Sequence, residues 1–113
     1  MAVDRGGVVA LRWFELPAAD WDEFLDLSVG AWPGFERAYE AQILGLFRSV
    51  DVAAPLARAL LVTRYRSLAE WERSREAGAS DGAGSGEVAE AGRRFRRRHQ
   101  LTTSTVVRIA SPA

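Results

Sequence analysis

The pattern of apolar and polar positions begins at Val8. Val8-Val9-Ala10-Leu11-Arg12-Trp13-Phe14-Glu15-Leu16 is rich in β-branched and aromatic residues and stops at Pro17, which predicts a first strand. The period then lengthens from two to between three and four. Trp21, Phe24 and Leu25 fall on one helical face, with Asp20, Asp22 and Glu23 near the positive end of the dipole. Pro33 and Gly34 interrupt this pattern before Phe35 to Tyr39 resumes it, so the spacing predicts one kinked helix or two in succession. Ile43, Leu44, Leu46, Phe47 and Val50 then mark a second strand over 41–52, with Gly45 inside it as a candidate bulge or close-approach point. Residues 51–55 leave room for a hairpin turn.

The stretch from Leu60 to Arg75 reads without a gap as strand, cap and helix. A third strand runs from Leu56 or Ala57 to Arg66, and Ser67-Leu68-Ala69-Glu70 is a capping box opening a helix that reaches about Ala77. Gly78 to Gly86 contains only small residues and one Asp, with nothing to anchor it, and is expected to be a mobile linker. From Glu87 a further helix places Val88, Ala91, Phe95 and His99 on one face, with Arg93, Arg94, Arg96, Arg97 and Arg98 covering the rest. Thr103, Thr105, Val107 and Ile109 alternate with Ser104, Val106, Arg108 and Ala110 in a last strand, which Pro112 ends. Residues 1–7 are expected to be a flexible start, and 8–113 a single domain.

This order, β-α-β-β-α-β with the second helical unit split by the linker, implies the α+β ferredoxin-like fold, a four-stranded antiparallel sheet with helices on one side. Both sheet faces are apolar. Val9, Leu11 and Trp13 alternate with Ala10, Phe14 and Leu16, and Leu60 and Val62 alternate with Leu61 and Tyr65. Helices cover one face, so the other is expected to be buried by the same face of a second copy, giving a homodimer.

Composition narrows the function classes. A chain of 113 residues and 12.4 kDa makes one domain, so a pocket must lie within it or between subunits. With Lys+Arg 15 and Asp+Glu 15 there is no global field to attract nucleic acid or an anionic membrane. The arginine cluster at 93–98 has no aromatic stacking platform and reads as a solvated helix face, so no nucleic-acid partner is expected. No apolar run reaches the ~18 residues of a membrane span and the N-terminus lacks a secretory pattern, which makes a cytoplasmic protein the expectation. The absence of Cys removes disulfides, thiolate nucleophiles and thiolate metal sites. No residues have metal-ligand spacing, and Gly82 to Gly86 lacks both the glycine spacing and the Lys of a phosphate loop. All basic residues are Arg and there is no Asn, a bias that suggests a GC-rich bacterial genome.

Candidate chemistry is sparse. His99, the single histidine, is placed to reach a pocket as acid, base or axial ligand, or else to pack beside Phe95. Glu15, Arg64 and Arg66 lie on central strands, where a charge needs an opposite charge, water or a polar ligand. Either Glu15 pairs with an arginine near a strand end and does nothing more, or Glu15 and Arg64 line a cavity with Trp13 and Tyr65 and orient a polar group on an apolar ligand. The four tryptophans, Trp13, Trp21, Trp32 and Trp71, fall on faces expected to point inward, mostly as core, with one or two in a pocket wall.

The chain after residue 7 resembles the dimeric α/β-barrel proteins, and among them the NIPSNAP-like group. The residues that carry the resemblance are the first strand ending ahead of Pro17, Asp22-Glu23-Phe24-Leu25, Trp32-Pro33, the unit from Ala59 to Trp71 and the closing Val107-Arg108-Ile109-Ala110-Ser111-Pro112. The resemblance implies a homodimer with a pocket for a small apolar organic molecule between sheet and helices of each subunit. Its candidate residues are Glu15, Arg64 and His99 for catalysis and Trp13, Tyr65, Trp71 and Phe95 for substrate. Related barrels include cofactor-independent monooxygenases of antibiotic biosynthesis, haem-degrading enzymes and polyketide-modifying enzymes. Three readings stay open: a cofactor-independent oxygenase or isomerase of secondary metabolism, a non-enzymatic assembly module, and a haem-binding barrel. Haem-degrading relatives combine an Asn, a Trp and a His; Trp71 and His99 match two of these, and the Asn has no counterpart here.

Overall fold

The computed structural model describes residues 7–50, 55–79 and 86–111. Its strands are β1 (Val8–Pro17), β2 (Ala41–Arg48), β3 (Leu56–Tyr65) and β4 (Ser104–Ala110), and its helices α1 (Trp21–Tyr39), α2 (Leu68–Ala79) and α3 (Glu87–Leu101). The four strands form one sheet in the order β2-β3-β1-β4, and every pairing is antiparallel. This is the ferredoxin-like α+β fold that the element order implies. The expected flexibility of residues 1–6, the hairpin turn at 51–54, most of the glycine-rich linker and Pro112 lie outside the described residues.

Local chemistry explains most boundaries. The Ser67 hydroxyl accepts a hydrogen bond from the Glu70 backbone N–H (3.2 Å), so the cap read from the sequence does start α2. In β2 the register slips between Ile43 and Gly45, which is the bulge expected there, and the Phe47 ring lies where a Cβ on Gly45 would stand, 2.8 Å away. α1 is a single 19-residue helix with Pro33 inside it rather than two in succession. α1 and α3 approach closely at Gly34: a Cβ there would come within 2.9 Å of the Glu87 Cβ, and Arg37 forms an ion pair with Glu87 beside it. α1 ends at Glu40, held in the left-handed region at φ 47, with its carboxylate accepting from Arg66 (3.0 Å).

Two inward faces differ from the sequence reading. On α1 the buried stripe is Phe24, Ser28 and Ala31, at i, i+4 and i+7, which turns Leu25 toward solvent. On α3 the buried positions are Ala89, Ala91, Arg98 and Leu101, so Val88 and His99 face outward. Ala91 and Leu101 both pack inward, and at 3.6 residues per turn that forces position 98 inward as well, whatever residue it carries.

The core between sheet and helices is in two parts. One contains Phe14, Leu16, Phe24, Ala57, Leu61 and Leu101, with Phe14 and Phe24 edge to face at 5.0 Å. The other contains Val8, Ala10, Tyr39, Ala41 and Tyr65. The space between these two clusters is not filled.

Candidate functional site: a cavity with buried arginines

That space is a cavity of about 640 Å³. Phe14, Trp32 and Leu61 of the first cluster form one side, and Phe35, Tyr65 and Trp71 of the second form the other. Strand alternation sets which side chains reach it. Ala10, Arg12 and Phe14 on β1 and Leu61, Thr63 and Tyr65 on β3 share the helix-facing side of the sheet, so they come to the cavity together. From above, α3 contributes Gly92, Phe95, Arg96, Arg98 and His99. The walls are therefore mixed, aromatic rings alternating with arginines and hydroxyls.

The deepest of those charges is Arg98, only 9% exposed. Its guanidinium lies over three rings, Phe95 at 4.5 Å, Phe14 at 4.8 Å and Phe24 at 5.7 Å, an arrangement that favours a cation. It donates to the Ser28 hydroxyl (3.2 Å), which in turn donates to the Phe24 carbonyl (2.8 Å). Burial, with a smaller contribution from Arg12, lowers its pKa to about 9, so it still carries its proton at neutral pH. Arg12 is half-buried on β1, donates to the Thr105 hydroxyl (3.3 Å), and is also pushed below the ordinary arginine range, by burial first and by Arg75 second. Burial raises Tyr65 despite Ser74 and three nearby guanidiniums, those of Arg12, Arg98 and Arg75, so the phenol stays neutral. The buried Trp32 indole N–H has no hydrogen-bond partner among the described residues.

The structure separates the residues singled out from the sequence. Tyr65, Trp71, Phe95 and His99 all line the cavity, His99 at an exposed position of its rim. Glu15, Arg64 and Trp13 do not: they lie on the opposite face of the sheet, because their positions on β1 and β3 alternate with the cavity-facing ones. There Glu15 accepts from Arg58, its cross-strand neighbour (2.8 Å), as in the simpler reading of that residue. Trp13 is 40% exposed, so the expectation that every tryptophan points inward does not hold for it. Arg66 stands one residue beyond the end of β3. The sequence reading missed Arg12 and Arg98, the second because it was grouped with the solvated arginines of α3. The burial of Leu101 that sets the phase of that helix is itself a tertiary fact, so the sequence carried no separate signal for Arg98.

A haem iron needs an axial ligand aimed into the cavity, and the inward position in the last turn of α3 is taken by Arg98 rather than His99. Among the described residues no group of His, Cys, Asp or Glu is placed to hold a metal ion, and no helix is long and apolar enough to cross a membrane.

No protein-family model matches the sequence, and no curated protein matches it. Solved structures do. A NIPSNAP family protein of Agrobacterium tumefaciens superposes with a TM-score of 0.69 at 17% identity, over 100% of this chain and 91% of that one. A dimeric ferredoxin-like protein from an uncultured marine organism gives 0.61 at 11% identity, over 97% and 90%. SnoaB, a cofactor-independent oxygenase from Streptomyces nogalater, gives 0.65 at 15% identity, over 95% and 93%. The chain thus has the fold of these NIPSNAP and oxygenase structures, in agreement with the resemblance seen in its sequence.

Proposed function

We propose that this chain is a NIPSNAP-like homodimeric α/β-barrel protein that binds one small, mostly apolar organic molecule per subunit in the cavity between sheet and helices. The observation that carries this reading is the cavity itself. At about 640 Å³ it lies inside the ~300–1,000 Å³ range usual for small-molecule sites, and its walls combine aromatic side chains with arginines and hydroxyls. A half-open pocket of that size against a small core leaves unpacked surface that a purely structural domain would bury. The dimer is supported by the uncovered sheet face, where Trp13, Phe47 and Val106 are exposed beside the half-buried Val9, Leu11, Leu60 and Val62.

The likeness to a cofactor-independent oxygenase makes oxidation of the ligand by dioxygen, with no cofactor, the reaction to test first. Tyr65 is held neutral, and His99 at the rim is the candidate general base among the described residues. Native mass spectrometry of protein purified from its own host tests both parts of the proposal. The expected result is a dimer carrying a reproducible organic mass. An empty monomer at micromolar concentration overturns the proposal.

A further inference from the structure

The lining of the cavity has an unbalanced charge inventory. Arg12, Arg75, Arg96 and Arg98 all border it, and among the described residues no Asp or Glu does. Elsewhere on α3 arginines are matched to carboxylates: Arg93 and Arg94 donate to Glu90, and Arg97 donates to Glu23. Arg98, the most buried of them, receives one neutral hydroxyl and three aromatic faces. A guanidinium carries five N–H donors, so most of those of Arg98 are left for something that enters the cavity. A buried cation without a counter-charge is costly, and placing Arg12 beside it adds repulsion. An anion between the two relieves both costs.

We propose that the ligand is an aromatic carboxylate, its carboxylate held between Arg12 and Arg98 and its ring system packed among Phe35, Trp71 and Phe95. This rests on the small-molecule reading above and names the ligand's class. A carboxylate fits better than a phosphate for two reasons. The planar fork of arginine matches two carboxylate oxygens in one plane. Phe95, Arg96, Arg98 and His99 come from the C-terminal half of α3, whose dipole disfavours negative charge, and so disfavours the single charge of a carboxylate less than the larger charge of a phosphate. The aromatic part of the walls then calls for a flat hydrophobic body behind the charged head.

Isothermal titration calorimetry on the full chain with matched pairs tests this: benzoate with benzamide, 1-naphthoate with 1-naphthamide, and 9-anthracenecarboxylate with its amide. At least one acid is expected to bind 10-fold or more tightly than its amide. That preference should fall about 10- to 100-fold in Arg98→Met and in Arg12→Gln, and persist in Arg93→Met, which removes a positive charge from an exposed position of the same helix. If an amide binds as well as its acid, or if the preference survives Arg98→Met, the carboxylate proposal fails while the small-molecule reading stands. If nothing in the panel binds, both fail. Should Arg98→Met not fold, Arg12→Gln, at a half-buried position, carries the same test.

Discussion

The two faces of the sheet treat charge and hydrophobicity in opposite ways. Toward the helices, where burial is deepest, stands Arg98 at 9% exposure, beside a half-buried Arg12. On the uncovered side, Trp13 is 40% exposed and Phe47 59%, while Glu15 and Arg58 make an ordinary surface pair. A chain folding only to bury its own apolar surface would reverse these assignments. The inversion makes sense if each face is completed by a partner: a small anion between sheet and helices, and a second copy of the chain across the open face.

Perturbing the two faces separately should break this contrast. The largest effect is expected within the tightly packed half of the core: Phe24 is fully buried, and Phe24→Ala should cost about 3–5 kcal/mol, read as a lowered urea midpoint. On the open face Trp13→Glu should leave the subunit folded but weaken self-association by about 2–4 kcal/mol, seen as a monomer in sedimentation equilibrium. Persistence of the dimer would place the interface elsewhere.

Arg98 should behave unlike Phe24. Because its pKa in the folded state is depressed to about 9, the unfolded chain holds that proton to higher pH than the native one does. The unliganded protein therefore bears the burial penalty in full below about pH 9, and sheds it as pH rises from there toward the ordinary arginine range. Arg98→Met should accordingly melt at or above the parent at pH 7, with the difference shrinking at pH 10. A large loss of stability at both values would show a purely structural arginine. The smallest effect is expected for Glu15→Gln, which breaks a pair in which Arg58 is mostly exposed, at a cost of about 0–1 kcal/mol and with no change in ligand affinity.

The sequence by itself determined a good deal of this protein. Alternation in Val8 to Leu16 and in Leu60 to Tyr65, the Ser67–Glu70 cap and the glycine at the β2 bulge are local signals, and each appears in the structure where the residues place it. Their order was sufficient for the ferredoxin-like sheet, because few topologies accommodate it. The site was legible only in part. Tyr65, Trp71, Phe95 and His99 reach the cavity, whereas Glu15, Arg64 and Trp13 lie on the opposite face. A period-two pattern says which residues share a face, but when both faces are apolar it does not say which one the helices cover. The phase of α3 was likewise open, since five arginines blur its apolar stripe, and only packing against Ser28, Phe14 and Phe24 shows that Arg98 is the one turned inward. Tertiary structure decided those two questions because the burial of a charged side chain depends on what surrounds it in space, and its neighbours in sequence do not carry that information.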